Sequence, residues 1–258
     1  MADLRFIQPY KALDQHRSEM RQAARLRRNR VAAAFVAGIV LSAAGYWVAP
    51  PLAVISAGIA VLAVFFSAIT GGSSVPASAL TGAEGEVRVL QELEKLPADH
   101  VVFNQVQVPD ETVASGRREI DFLVVAPSGV HCIEVKNTAG LIYVRPEEKQ
   151  WPLAHKAGCG GRPGWNAIPN PLIQVAAQTE ALDRWLLRHN LMCTVSPILV
   201  FARSEVGLRD RDLAAIPVLT AAELTDHLAG LEPLTSLNRG GVMRALAEAS
   251  GREPAKLA

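Results

Sequence analysis

The chain has 258 residues, about half of them hydrophobic and a fifth charged, with a net charge of +1. That length holds one domain of ordinary size plus an appendage, and the charge balance excludes capture of a polyanion by bulk basicity alone. Cys132, Cys159 and Cys193 are odd in number and lack paired spacing, which argues against a disulfide framework and a zinc knuckle and fits a reducing compartment; His155 and Cys159 lie four apart with no second ligand pair.

The charge is unevenly distributed. Residues 1–30 carry eight basic side chains, crowding towards Arg25, Arg27, Arg28 and Arg30, against three acids, whereas 31–83 carry none of either sign and 71–258 sum to −4. Two uncharged apolar runs, 31–49 and 52–70, flank Pro50-Pro51. Each reaches roughly 28 Å as a helix, close to the thickness of a hydrocarbon core, and the proline pair cannot continue a helix. A two-helix transmembrane hairpin is therefore expected over 31–70, with Tyr46 and Trp47 near an interface. The arginines keep the N-terminus, and with it the domain beyond the hairpin, on the cytoplasmic face of the cell membrane. Residues 1–30 are expected as a basic segment, largely helical, near anionic headgroups. A signal peptide ending at Ala77-Ser78-Ala79 is the alternative, but the apolar region is too long for one.

Gly71-Gly72-Ser73-Ser74 opens an expected flexible linker over 71–80, and 81–258 is expected as one soluble domain. Thr81-Gly82-Ala83-Glu84 has capping-box spacing, so a helix is expected from Gly82 to about Leu96, before Pro97. Strands follow at 101–108, 118–126, 130–136 and 141–144, with Pro127-Ser128-Gly129 as a turn. Residues 152–169 read as a loop. Asn170-Pro171 starts a helix running to about Asn190, with Leu172, Val175, Thr179, Leu182 and Leu186 on its inner face. Strands at 195–201 and 217–219 and helices near 221–230 and 238–249 complete the expected α/β fold, a mixed sheet flanked by helices.

Within this frame Glu134 and Lys136 share one face at the end of a strand. If the turn leaves only Pro127 and Ser128 unpaired, Asp121 lies opposite Glu134, with the Cβ atoms about 5 Å apart. A bulge at Gly129 would shift the register by one and separate them. Opposed like charges are unfavourable unless a cation lies between them. Glu86 falls on the apolar arc marked by Val87, Leu90, Leu93 and Leu96, where a carboxylate needs a reason, and Gln174 lies in the first turn of the later helix. Hard oxygen ligands suit Mg²⁺ or Mn²⁺, and such an ion beside a lysine suits phosphodiester hydrolysis. Each residue also has an ordinary reading: an E-x-K on a strand can be a solvated ion pair, Asp121 can pair with Arg117 or Arg118, and Gln174 can cap its helix.

The pattern Gly82-x-x-Gly85-Glu86, Glu119-Ile120-Asp121, Gly129-Val130, Ile133-Glu134-Val135-Lys136-Asn137 with Gly140, Trp151, and Asn170-Pro171-Leu172-x-Gln174 resembles the nuclease-related domain family over about residues 78–190. That family belongs to the PD-(D/E)xK nucleases. The resemblance implies a restriction-endonuclease-like fold, an active-site set of Glu86, Asp121, Glu134 and Lys136 with Gln174 as an accessory, a divalent ion held by Glu86, Asp121 and Glu134, and a nucleic acid substrate. The competing expectation is a membrane-tethered binding module without catalysis, which the negative domain and the lack of a basic stripe favour.

Overall fold

A computed structural model describes residues 1–48, 77–155 and 164–250. It divides into two compact units, Pro9–Leu80 and a larger body made of Met1–Gln8 together with Thr81–Ala258.

The larger body is built on a six-stranded mixed sheet. Its strands are β1 (Asp3–Phe6), β2 (Val101–Pro109), β3 (Arg117–Ala126), β4 (Gly129–Lys136), β8 (Val195–Phe201) and β10 (Val218–Thr220), in the order β1-β2-β3-β4-β8-β10. β2, β3 and β4 are antiparallel neighbours, while β1–β2, β4–β8 and β8–β10 are parallel. β4 is buried along all but its last residue, as fits a central strand covered on both faces. The expected mixed sheet with flanking helices is what the chain forms. A second sheet, β7-β6-β5-β9, uses β5 (Gly140–Tyr143), β6 (Gln150–His155), β7 (Gly164–Pro169) and β9 (Val206–Arg209).

Among the described residues the α-helices are α1 (Lys11–Val48), α2 (Ala77–Leu93), α3 (Pro171–Arg188), α4 (Ala221–Ala229) and α5 (Arg239–Ala249). Ala181, Leu182, Trp185 and Leu186 of α3 and Val242 and Leu246 of α5 pack with Phe103, Leu123, Val125 and Cys132 of the large sheet in one apolar core. Burial pushes the Cys132 thiol up to about 12, so it behaves as a small hydrophobe. A second cluster joins Trp151, Leu153 and Ile142 of the small sheet to Leu199, Phe201 and Val218. Full burial of each large side chain contributes on the order of 2 kcal/mol before ordering costs.

Four expectations need correction. The N-terminal segment is more than a basic helix: Asp3 and Phe6 pair with Val101 and Phe103, Phe6 stacks on Phe103 at 4.5 Å between centroids, and the Gln8 N–H donates to Asn104 Oδ1 at 2.6 Å. A four-residue strand ahead of a long basic helix is masked by the composition around it. The helix expected from Gly82 starts at Ala77, because Ala-Ser-Ala-Leu continues the helical run into the expected linker, and it ends at Leu93. Residues 152–169 contain the β6–β7 hairpin, in which the alternation of buried Trp151 and Leu153 is a strand signal overshadowed by the glycines that follow. Finally, the short β9 went unread between β8 and β10.

In the smaller unit α1 runs unbroken for 38 residues through the arginine cluster and into the first apolar run. No helix among the described residues is long and apolar enough to cross a membrane. The side chains of residues 37–48, and the whole of the proline turn and second run over 49–76, lie outside them, as does Cys159.

A candidate active site on adjacent strands

The two-residue turn at Pro127-Ser128 sets the site. Gly129 takes φ +132, a conformation that a side chain would strain, and Ala126 pairs with Gly129 without a bulge. The ladder continues to Phe122 opposite Ile133, the register in which Asp121 falls beside Glu134. The Val135 N–H donates to Asp121 Oδ2 at 2.8 Å, so β3 and β4 are tied at this level by a side chain instead of a backbone carbonyl.

Glu134 is buried, 1 % exposed, and each of its oxygens has a partner. Lys136 Nζ donates to Oε1, as two residues on the same face of a strand can. Gln178 Nε2 donates to Oε2 at 2.6 Å. Lys136 Nζ also donates to Gln174 Oε1 at 2.8 Å. Gln174 and Gln178 lie one turn apart on α3, whose start is fixed by Asn170: its side chain accepts from the Leu172 N–H, and Pro171 opens the first turn.

The third acid arrives on α2. Asn137, directly after β4, donates from Nδ2 to the Thr81 carbonyl at 2.6 Å and accepts from Arg88 at 3.0 Å. A Cβ on Gly85 would come within 2.6 Å of the Asn137 Cβ, so only glycine allows the helix to approach this closely. The buried stripe of α2 is Ala83, Gly85, Val89 and Leu93, which leaves Glu86 half-buried at its edge and not at the middle of the arc, as expected from Val87 and Leu90. Glu86 Oε2 accepts from Gln105 at 3.3 Å, and Gln105 itself has a positive φ of 50°.

The acids share one electrostatic neighbourhood. Loss of solvent pushes Glu86 up to about 7, opposed by the Gln105 hydrogen bond and reinforced by Glu119 and Glu134. Asp121 is driven well above the ordinary carboxylate range, first by desolvation and then by Glu134, with the Val135 N–H acting in the other direction. Among the described residues no three His, Cys, Asp or Glu side chains gather closely enough to hold a metal ion. The donor set nevertheless fits Mg²⁺ or Mn²⁺. Asp121 and Glu134 are neighbouring hard-oxygen donors whose repulsion a cation would relieve, and such ions commonly use one or two carboxylates with water and substrate filling the rest. Gln178 Oε1, buried and without a partner, adds an acceptor for an ordered water.

All five residues singled out in the sequence thus lie in this one region of the fold: Glu134 with Lys136 and Gln174, Asp121 in the register beside Glu134, and Glu86 at the α2 edge. Gln178 was missed. Its signal was present, because a glutamine beside Val175, Thr179 and Leu182 on an apolar helix face is as conspicuous as an acid there. His155, weighed for metal, instead lies within hydrogen-bonding distance of Asn166, its Nε2 3.2 Å from Nδ2.

Residues 81–202 match the family model of the nuclease-related domain. That match starts four residues inside α2 and ends one residue after β8, where the Ala202 N–H donates to the Lys136 carbonyl. No curated protein matches the chain. One solved structure, protein VC1899 from Vibrio cholerae, is similar at 13 % identity and a TM-score of 0.31, covering 94 % of this chain and 58 % of that one. The chain therefore spans little more than half the length of that protein.

Proposed function

From the match of residues 81–202 to the nuclease-related domain, we propose that the protein is a divalent-metal-dependent nuclease that hydrolyses phosphodiester bonds in DNA or RNA. The observation that carries this reading is the arrangement of Glu134 and Lys136 on one strand, with Asp121 beside them on the next and Gln174 on the lysine. Asp121 and Glu134, with Glu86 acting through water, are the residues that would hold Mg²⁺ or Mn²⁺. Such an ion supplies a lowered pKa for its water and offsets charge on the phosphate.

The chain's own groups do the remainder. Lys136, held between Glu134 and Gln174, directs an ammonium at the place where negative charge grows on the phosphoryl oxygens. Gln174 fixes that ammonium's direction and is itself exposed, within reach of an arriving backbone. Hydrolysis forms one bond from water oxygen to phosphorus and breaks one ester bond; the attacking water gives up a proton to solvent and the departing alkoxide takes one from it. The domain's net negative charge includes the site acids, so the bound cation would turn the local field towards a polyanion.

The test is cleavage of single- and double-stranded DNA and RNA by the full chain in detergent with Mg²⁺ or Mn²⁺. Lys136→Ala should lower the rate on the order of 10²–10³-fold or more without a change in far-UV circular dichroism. Equal rates in the two proteins would mean that a contaminant cleaves.

The membrane hairpin over 31–70, with the nuclease domain at the cytoplasmic face, is part of the same proposal. Its support is the absence of charge from 31 to 83 beside the arginine cluster. A topological argument adds to it. Met1–Gln8 and Thr81–Ala258 are one body, so any crossing made by the chain between them must be made an even number of times. Full-length protein should stay in membranes through a carbonate wash, and protease outside intact cells should not reach Glu84. Extraction by carbonate would remove the anchor from the proposal and leave the nuclease reading in place.

A further inference from the structure

Resting on that nuclease reading, we infer that Gln178 is the positioning residue for the metal-binding carboxylate: it fixes the rotamer of Glu134 from behind and so sets how tightly the site takes a divalent ion.

The inference starts from an accounting of hydrogen bonds. The amide of Gln178 is 1 % exposed, and its nitrogen has two protons. One goes to Glu134 Oε2 at 2.6 Å and the other to the Glu119 carbonyl at 3.0 Å. Both partners are pure acceptors, so the orientation of the amide is unambiguous. One side chain therefore links α3 to β4 and to the start of β3, the two strands that carry Glu134 and Asp121. Glu134 is thereby gripped at both oxygens, by Lys136 on one and Gln178 on the other. A buried carboxylate held this way keeps one rotamer before any ion arrives, so less ordering remains to be done on binding. The α3 face is thus divided: Gln174 serves the lysine of the E-x-K pair and Gln178 serves its glutamate. Gln178 Oε1, buried without a partner, faces no competing donor that would pull the amide over.

The test uses the full chain in detergent micelles with Mn²⁺ as probe, followed by calorimetric titration, the melting temperature with and without ion, and cleavage. Gln178→Met keeps the length and removes both hydrogen bonds. It should weaken Mn²⁺ binding about 10–100-fold and raise the Mn²⁺ concentration for half-maximal cleavage by a similar factor, with a smaller loss at saturating ion. Thr179→Val, the neighbouring buried polar residue whose hydroxyl bonds the Val175 carbonyl, is the packing control and should leave Mn²⁺ affinity unchanged. Wild-type affinity in Gln178→Met, or an equal loss in Thr179→Val, overturns the inference. Should Gln178→Met not fold, Gln178→Glu replaces it. Its carboxylate opposes Glu134, so Mn²⁺ should raise its melting temperature more than that of wild type, and equal shifts overturn the inference. If wild type neither binds Mn²⁺ nor cleaves, the nuclease reading fails and takes this inference with it. If wild type does both and Gln178→Met is indistinguishable from it, only the inference fails.

Discussion

The same domain holds buried acids in two places and treats them in opposite ways. Asp110, between β2 and β3, is 3 % exposed, and every side of its carboxylate is answered. The Thr112 hydroxyl donates at 2.7 Å and its N–H at 3.0 Å, and Arg118 Nε donates at 2.5 Å. Those donors, Thr112 foremost, hold its carboxyl down at about 2. In the middle of β3, Asp121 is desolvated beside Glu134 and Glu86, and it and Glu86 are pushed up. The sequence distance is eleven residues, yet one acid is compensated by the protein and the other is not. A compensated carboxylate has completed its work when the chain folds. An uncompensated one stores unfavourable charge that a ligand can relieve, which is how sites for cations differ from structural ion pairs.

The largest effect expected from that contrast comes from making each acid neutral. Asp121→Asn keeps an oxygen for the Val135 N–H and removes a repelled charge. Cleavage should fall on the order of 10²–10³-fold, while the ion-free protein gains about 1 kcal/mol, as is common where a site holds strain for function. Asp110→Asn should do the reverse, lowering the melting temperature because Arg118 loses its counter-charge, with the rate per folded molecule unchanged. Thermal melts without metal and initial rates with it, on both variants, test the pair. Destabilisation by Asp121→Asn would show that its charge is compensated after all, and the contrast would vanish.

How much of this was legible in the sequence differs from residue to residue. The β3–β4 register could be read because a two-residue turn admits few geometries, and Asp121 beside Glu134 follows from counting outward from it. The helix carrying Gln174 and Gln178 was equally readable from Asn170-Pro171. Glu86 lies near Glu134 and Asp121, but the arc that singled it out is rotated in the structure. The close approach of Gly85 to Asn137 decides which face of α2 turns inwards, and that contact spans more than fifty residues. β1 could not be read at all: four residues become a strand only because β2 offers an open edge about a hundred positions later. Long-range pairing of this kind leaves no local pattern.

A buried base sharpens the contrast from another side. His131 on β4 is 1 % exposed, with Ser128 Oγ 2.9 Å from Nε2 and no partner on Nδ1. Desolvation, and then His227 and His100, lower it from 6.5 to about 4. The unfolded chain therefore binds the extra proton first, so stability is full above pH 6.5 and is lost as the pH falls towards about 4. The loss approaches roughly 3 kcal/mol if the whole shift is expressed. His131→Phe should remove this loss from the pH dependence of the denaturant midpoint. Asp110 belongs to a lower window, since its contribution persists until the pH falls below the ordinary aspartate range towards about 2. Glu86, pushed up to about 7, acts in the opposite direction over the same window, so the test is the difference between wild type and His131→Phe, and a difference that stays constant between pH 6.5 and 4 would contradict the histidine's part.

The smallest effect belongs to charges that solvent already compensates. Glu180 lies two residues beyond Gln178 on α3 and is 72 % exposed in its side chain, paired with Arg184 at 2.6 Å in an i,i+4 arrangement. Water competes for both partners and two long side chains must be ordered, so Glu180→Ala should change stability by less than about 0.5 kcal/mol. Its cleavage rate and Mn²⁺ affinity should equal those of wild type. Gln178 and Glu180 differ by some 200° around the helix axis, so the pair asks whether burial, not polarity, gives a side chain influence over the site. A Glu180→Ala protein that lost Mn²⁺ affinity would mean that α3 acts through its net charge, and the distinction between compensated and uncompensated acids would have to be replaced by one of overall field.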